Sequence, residues 1–294
     1  RDELIFTLYL RYHRLGTGFQ AGTYAMAPGT DIGEIIRKLN EGDTVKEETI
    51  RITVPEGYTI RQINRELSAL GFPEEELAAL ANDPDRFSAV PVSEGGTPLR
   101  TKEIPDGDAY RFALEGYLFP ETYEFPQDAA AFDVFVRMIR ELDRKLAQLP
   151  DDWEDRLKAL GISFHEMLTV ASLVEREVSV DHERPLVAGV IYNRLNKNMP
   201  LQIDATVQYA LDEPKEWLME KDLKTESPYN TYLHPGLPPG PIASPGLASI
   251  RAALYPEPSD YYFYVTKKDG SGEHYFARTY GEHLQNIRKS NVNG

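Results

Sequence analysis

Residues 227–246, SPYNTYLHPGLPPGPIASPG, hold six prolines and three glycines in one short stretch. Proline fixes φ near −65° and lacks an N–H, so this segment can neither continue a helix nor sit inside a sheet. The chain must carry it as a stiff, irregular loop with the regular elements arranged around it. Ser244 reads as the N-cap of the next helix, with Pro245 at its first position. Tyr229, Asn230, Thr231 and Tyr232 cluster at the loop's start. Flat rings stack on sugars and amides bond hydroxyls, so such a loop suits carbohydrate. It also suits plain structural cover of an edge. The segment 115–126, EGYLFPETYEFP, dense in aromatics and proline, carries the same two readings and is not a plain helix.

The clearest helix is 164–178, FHEMLTVASLVEREV, where Met167, Val170, Ala171, Val174 and Val178 fall on one stripe. Glu175 and Glu177 flank that stripe, roughly 160° apart by the 3.6-residue period, so they cannot act as a close carboxylate pair. Glu177 lies beside Leu173 and Val174, and Glu175 beside Ala171 and Ser172. A carboxyl among larger apolar groups loses solvation, its pKa rises, and it can act as a general acid near neutrality. That argument favours Glu177. Against it stands the reading that both are solvated, or paired with Arg176, Arg184 or Arg194.

Other elements follow from period and caps. Residues 2–12 read as an amphipathic helix, and Thr23, Tyr24 and Met26 as strand-like before Pro28-Gly29. Asp31 caps a helix with Glu34 at the capping-box position, and Gly42 stops it. The strand 50–55 leads to a second helix capped by Thr59 and Gln62. Ile32, Ile35, Arg37 and Leu39 match Ile60, Ile63, Arg65 and Leu67 at a constant offset, which points to a duplicated strand–turn–helix unit. Pro84 to Gly107 reads as an internal loop or lid, and 130–149 as a helix. Asp181 and Pro185 start a helix that turns Leu186, Val187, Val190, Ile191 and Leu195 inward. Residues 201–204 make a short strand, with Asp204 as a helix cap. Residues 261–266 and 273–278 alternate around KKDGSG as a β-hairpin, and Thr279 with Glu282 boxes a last helix. Strands and helices mix without a βαβ rhythm, so the class is α+β.

Several functions are excluded. The 294 residues carry 32 Lys+Arg against 47 Asp+Glu, a net charge of −15 that argues against nucleic acid as partner. Without cysteine there are no disulfides, no thiolate catalysis and no Cys-ligated zinc. His165-Glu166 opens like a metalloprotease helix, but Thr169 stands where the second His belongs. The other histidines lack metal-ligand spacing, so neither metal nor cofactor is expected. No apolar run reaches the ~18–20 residues that span a bilayer. Because the chain starts at Arg1, it is expected to be a trimmed piece whose upstream segment is not seen.

Four segments, ASLVEREVSVDHERPLVAGVIYNRL (171–195), LQIDATVQYAL (201–211), SPYNTYLHPGLPPGPIASPG (227–246) and EGYLFPETY (115–123), closely resemble the YceG-like family of endolytic murein transglycosylases. The resemblance covers nearly the whole chain. It implies a LysM-like module over 1–52 and a catalytic domain over 53–294, with 53–112 as a smaller subdomain or lid. It implies cleavage of the β-1,4 bond between N-acetylmuramic acid and N-acetylglucosamine without water, leaving 1,6-anhydro ends and releasing nascent strands. One carboxyl suffices for that reaction, protonating the leaving oxygen and then taking the 6-hydroxyl proton. The family's catalytic glutamate lies in the E-[KR]-E stretch and aligns to Glu177, with Glu175 as the alternative. Matching positions imply that Asn193, Arg194, Gln202, Asp204, Tyr229, Asn230, Thr231 and Tyr232 line or support the glycan cleft, and that Gly116, Tyr117, Phe119 and Pro120 form its other wall. The family reading adds an N-terminal membrane anchor with the enzyme outside, peptidoglycan synthases as partners, and a monomeric soluble part. Two alternatives remain: a non-catalytic peptidoglycan-binding module, and a hydrolase using Asp204 as second carboxylate.

Overall fold

Two capped helices open the described chain and show how one sequence pattern can fold to different ends. The computed structural model describes residues 18–293 except 46, 47, 89, 91–99, 106, 108 and 212, and before them residues 7, 9, 10 and 12. The helix expected over 2–12 therefore lies mainly outside the described residues. Helix α1 (Ile32–Glu41) is capped by Asp31, which accepts from the Gly33 and Glu34 amides, and it ends at Gly42 in the left-handed region. Helix α2 (Ile60–Ala69) has a closed capping box between Thr59 and Gln62. Ile60, Ile63 and Leu67 are fully buried in α2, whereas α1 buries only Ile36. The strand expected at Thr23–Met26 does not form. The Thr23 carbonyl accepts a backbone bond from the Val45 amide at 2.9 Å.

The chain divides into two units, residues 1–50 with 125–128, and residues 51–124 with 129–294. Strands β1 (Thr49–Thr53) and β2 (Thr122–Pro126) form a two-stranded sheet. Everything that follows lies in the larger unit. There α3 (Glu74–Ala81), α4 (Ala131–Leu146) and α5 (Trp153–Leu160) lead to α6 (Phe164–Glu177). After α6 come α7 (Arg184–Asn196), α8 (Asp204–Ala210), α9 (Leu247–Leu254), the antiparallel hairpin β3 (Phe263–Thr266) and β4 (His274–Ala277), and α10 (Tyr280–Asn293). The fold is mixed α+β, as the element pattern implies.

Helix α6 is the centre of the core. Every residue from Met167 to Val174 is buried, not just one stripe, because α7, α8 and α9 all pack on it. Its inward polar groups are satisfied internally. Thr169 donates to the His165 carbonyl, and Ser172 donates to the Thr169 carbonyl while accepting from the Ile242 amide. That last bond fastens the proline-rich loop to the helix. His165 is buried between the Tyr117 hydroxyl at Nδ1 and the Pro239 carbonyl at Nε2. Burial lowers its pKa, so it sits neutral with the proton on Nε2.

Four local expectations are corrected. Ser244 does not cap α9: Gly246 is the N-cap residue, and the Ser244 backbone pairs instead with Gly57 and Tyr58 at 2.9 and 2.7 Å. The Gly246 amide is taken by the Glu175 carboxylate at 2.9 Å, which replaces a local cap. Residues 201–203 form no strand. Asp204 is the first helical residue rather than the cap, its carboxylate turned to the Tyr232 hydroxyl. Glu34 does not close a capping box on α1.

Among the described residues no single helix is long and apolar enough to cross a membrane. Gly116 packs closely against the proline-rich loop. Its φ is +83°, and a Cβ there would stand 2.6 Å from the Pro241 ring. Gly116→Ala combines backbone strain with overpacking, and we expect it to cost about 2–4 kcal/mol in urea unfolding. A cost below about 1 kcal/mol would show that the 115–120 turn and the proline-rich loop do not pack as described.

Candidate functional site

The two glutamates at the end of α6 meet opposite fates. The Glu175 side chain is only 6% exposed, and both its oxygens are engaged. Oε1 accepts from Arg184 at 3.1 Å, and Oε2 accepts from the Gly246 amide at 2.9 Å. Arg184, also buried, donates further to Asp181 at 3.0 Å and to the Ser249 hydroxyl. Glu56 adds another carboxyl here, its pKa raised by burial and then by the Glu175 charge. This is a structural knot joining α6, α7 and α9.

Glu177 points the other way. Its Oε2 accepts from the Tyr264 hydroxyl of β3 at 2.8 Å. Among the described residues no other hydrogen bond reaches its carboxyl. Burial raises the Glu177 pKa above the ordinary carboxyl value, and the Asp204 charge raises it further. The Tyr264 hydrogen bond, His274 and Arg176 pull it back down. Its place as the last residue of α6 works in the same direction as burial, since a helix C-terminus disfavours negative charge. The residue as a whole is intermediate between buried and exposed. A carboxyl of this kind can hold a proton and hand it to a group arriving from outside.

The residues that position this carboxyl's neighbours are largely framework. Asn193 donates to the carbonyls of Ser259 and Tyr261 at 2.8 and 2.9 Å. Arg194 donates to Tyr262 at 2.6 Å and to Leu201 and Pro200 at 2.7 and 3.1 Å. One guanidinium thus holds the approach to β3, which carries Tyr264, and the approach to α8, which carries Asp204. In the loop, Thr231 accepts from the Ile203 amide at 3.0 Å, and Asn230 is wholly buried against the carbonyls of Leu223 and Thr225. Tyr229 is buried beside the Tyr209 ring. Tyr232 and Asp204 bond each other and reach the surface near Glu177. Gln202 is exposed, with a left-handed φ of 51°, a strained geometry for a non-glycine residue beside the carboxyl cluster.

Tyr117, Phe119 and Pro120 are buried, and Gly116 packs on Pro241, so these four belong to the core of the larger unit. Next to them lies Glu115, a group sequence reasoning does not single out. It is fully buried, accepts from the Ile60 amide at 2.9 Å and from the Tyr209 hydroxyl at 3.0 Å, and burial pushes its pKa up to about 8. Tyr264 was equally hidden. It reads only as one residue of an alternating strand. His274 opposes Thr266 across the hairpin and is fixed by Glu183 at 2.7 Å. Among the described residues no cluster of three or more His, Asp or Glu could hold a metal ion.

The chain is similar to several known proteins. The profile of the YceG-like family matches residues 1–289. A protein of Bacillus subtilis named endolytic murein transglycosylase is 36% identical over 96% of this chain and 76% of its own length. One of Streptococcus pneumoniae with the same name is 32% identical over 98% of this chain, which spans about half (53%) of that relative. A 2.6 Å crystal structure of a protein described as yceG-like from Listeria monocytogenes superposes with a TM-score of 0.69 at 35% identity, covering 96% of this chain and 89% of the other.

The two glutamates should separate in stability measurements. Glu175→Ala leaves buried Arg184 with only Asp181 as ion partner, and we expect a loss of about 3 kcal/mol, the low end for breaking a buried pair. Glu177→Gln should behave oppositely. A folded-state pKa above the unfolded value means stability present at low pH is lost as pH rises through the raised pKa. Removing the titrating group flattens that decline, so the variant should be at least as stable as the parent at pH 7 in thermal unfolding. A Glu177→Gln protein destabilised as much as Glu175→Ala would contradict the assignment.

Proposed function

The chain belongs to the YceG-like family, and from that premise we propose that it is an endolytic lytic transglycosylase of peptidoglycan with Glu177 as its single acid–base group. The observation that carries this reading is the contrast within α6. Glu175 has both oxygens fixed by Arg184 and Gly246, while Glu177 keeps one hydrogen bond and an upward-shifted pKa. In the reaction, the protonated Glu177 gives its proton to the glycosidic oxygen as the C1–O bond breaks. The sugar's own 6-hydroxyl then attacks C1, and the Glu177 carboxylate removes its proton. The bond between N-acetylmuramic acid and N-acetylglucosamine is cleaved, a 1,6-anhydro end forms, no water is consumed, and the carboxyl returns to its starting state.

Tyr264 tunes this cycle. By donating to the carboxylate it stabilises the charged form, which keeps the group able to act as a base in the second half. Asp204 pushes the other way, favouring the protonated form needed first, and its bond to Tyr232 keeps it aligned. The presence of Asp204 also supports a second reading, hydrolysis with a water activated by that carboxylate, and the products distinguish the two. We further propose a LysM-like module over 1–52 with the catalytic domain over 53–294, an extracytoplasmic place of action beside the membrane, and work alongside the synthases that make the strands. These rest on the family and on the names of the relatives.

Mass spectrometry of products from peptide-bearing peptidoglycan tests the chemistry. The parent should release 1,6-anhydro ends, and Glu177→Gln should lower the rate by about 10²–10⁴-fold. Reducing ends would favour the hydrolase, and anhydro ends formed at full rate by Glu177→Gln would remove Glu177 from the mechanism. The pH profile supplies a second test. The acid must be protonated, so kcat/KM should fall on the alkaline side at a pH above the ordinary carboxyl range. Tyr264→Phe removes a bond to the charged form, raises the Glu177 pKa, and should move that alkaline limb to higher pH. A limb that stays put or moves down would contradict the role given to Tyr264.

A further inference from the structure

A cleft of about 520 Å³ opens beside the carboxyl cluster, lined by Arg61 and Arg65 of α2, Arg111, Arg176 of α6, Gln208 of α8 and Lys215. It begins one residue from the proposed reaction centre on two elements. Arg176 precedes Glu177, and Ala205, which also lines the cleft, follows Asp204. For a chain of net charge −15, this concentration of cations is unexpected. Neither Arg61, Arg65 nor Arg176 has a carboxylate within ion-pair distance among the described residues. Arg61 makes one long bond to the Leu211 carbonyl at 3.5 Å, and Arg176 one to Gly57 at 3.2 Å. Arg111 is fixed to the carbonyls of Tyr209 and Leu211, and Lys215 is paired with Asp222. Among the described residues the one acid on the lining is the exposed Glu213.

We propose that this cleft is a subsite for the carboxylates of the peptide stem carried by the muramic acid at the cleavage point. The proposal rests on the peptidoglycan reading above. The stem hangs from the same sugar whose bond is broken, so its carboxylates must lie near the general acid when that bond is in place. Guanidinium groups match carboxylates in shape and can bind them through two parallel bonds. A volume of this size holds a few amino-acid residues. Arg65, one turn along α2 from Arg61 and exposed, has no hydrogen-bond or ion-pair partner among the described residues and is free to reach such a group. Binding there would draw the glycan into register and favour strands that still carry peptides.

Calorimetric titration of the whole chain with a free stem tetrapeptide, at low ionic strength, tests this. The double variant Arg61→Gln with Arg65→Gln should weaken binding by roughly 10-fold or more, the scale of losing a charge-assisted hydrogen bond. Amidating the peptide carboxylates should weaken binding to the parent chain similarly. Both side chains lie on the surface of α2, and circular dichroism checks that the variant remains folded. Equal affinity of parent and variant, or of free and amidated peptide, would overturn the proposal. Inorganic pyrophosphate binding in place of the peptide would overturn it too, reassigning the cleft to phosphate. Because this readout needs no cleavage, it separates the two readings. Peptide binding lost in the variant, in a chain that forms no anhydro ends, would discard the lyase and keep the subsite.

Discussion

The buried contact between Arg184 and Glu175 is the constraint on which the site's geometry depends. It draws together the last turn of α6, the first residue of α7 and, through Glu175 and Gly246, the start of α9. Removing two charges from water is costly, and the cost is offset only because the remaining donors and acceptors find partners in Asp181, Ser249 and the Gly246 amide. Once Glu175 is fixed on one side of the helix, the period of the helix turns Glu177 to the other. The structural carboxyl and the reactive one are thus set by the same few residues of one helix end.

A second layer holds what Glu177 faces. Arg194 and Asn193 bind backbone carbonyls on both approaches, so Tyr264 and Asp204 arrive from different elements at one carboxyl. Glu183 pins His274 in the hairpin, and Thr231 ties the proline-rich loop to the start of α8. Most polar residues of the recurring motifs therefore act through the main chain. Opposed influences then leave Glu177 poised: burial and Asp204 favour the proton, and Tyr264, His274 and Arg176 favour its release.

Much of this was legible in the sequence. The capping box at Thr59 and Gln62, the helix over 164–177, the hairpin and the last boxed helix all follow from local chemistry, which tertiary packing leaves undisturbed. The failures occur where a distant group replaces a local one. Ser244 resembles a cap, but Glu175 supplies the acceptor from another helix. Asp204 resembles a cap as well, yet its carboxylate bonds Tyr232. The wheel argument separates Glu175 from Glu177 and favours the latter through Leu173 and Val174. The partners that tune Glu177 come instead from β3, β4 and α8, which no single-helix argument reaches. Tyr264, Glu115 and the basic cleft are hidden for the same reason: their meaning lies in what the fold brings beside them.

The central claim is that Glu177 holds its proton more tightly than an ordinary carboxyl while Glu175 serves the framework. Carbon NMR titration of the Glu177 side-chain carboxyl, assigned by comparison with Glu177→Gln, measures that directly in the folded chain. The account predicts a midpoint above the ordinary glutamate value of about 4.3. A midpoint at or below that value would contradict it, because the carboxyl would then have no proton to give near neutral pH.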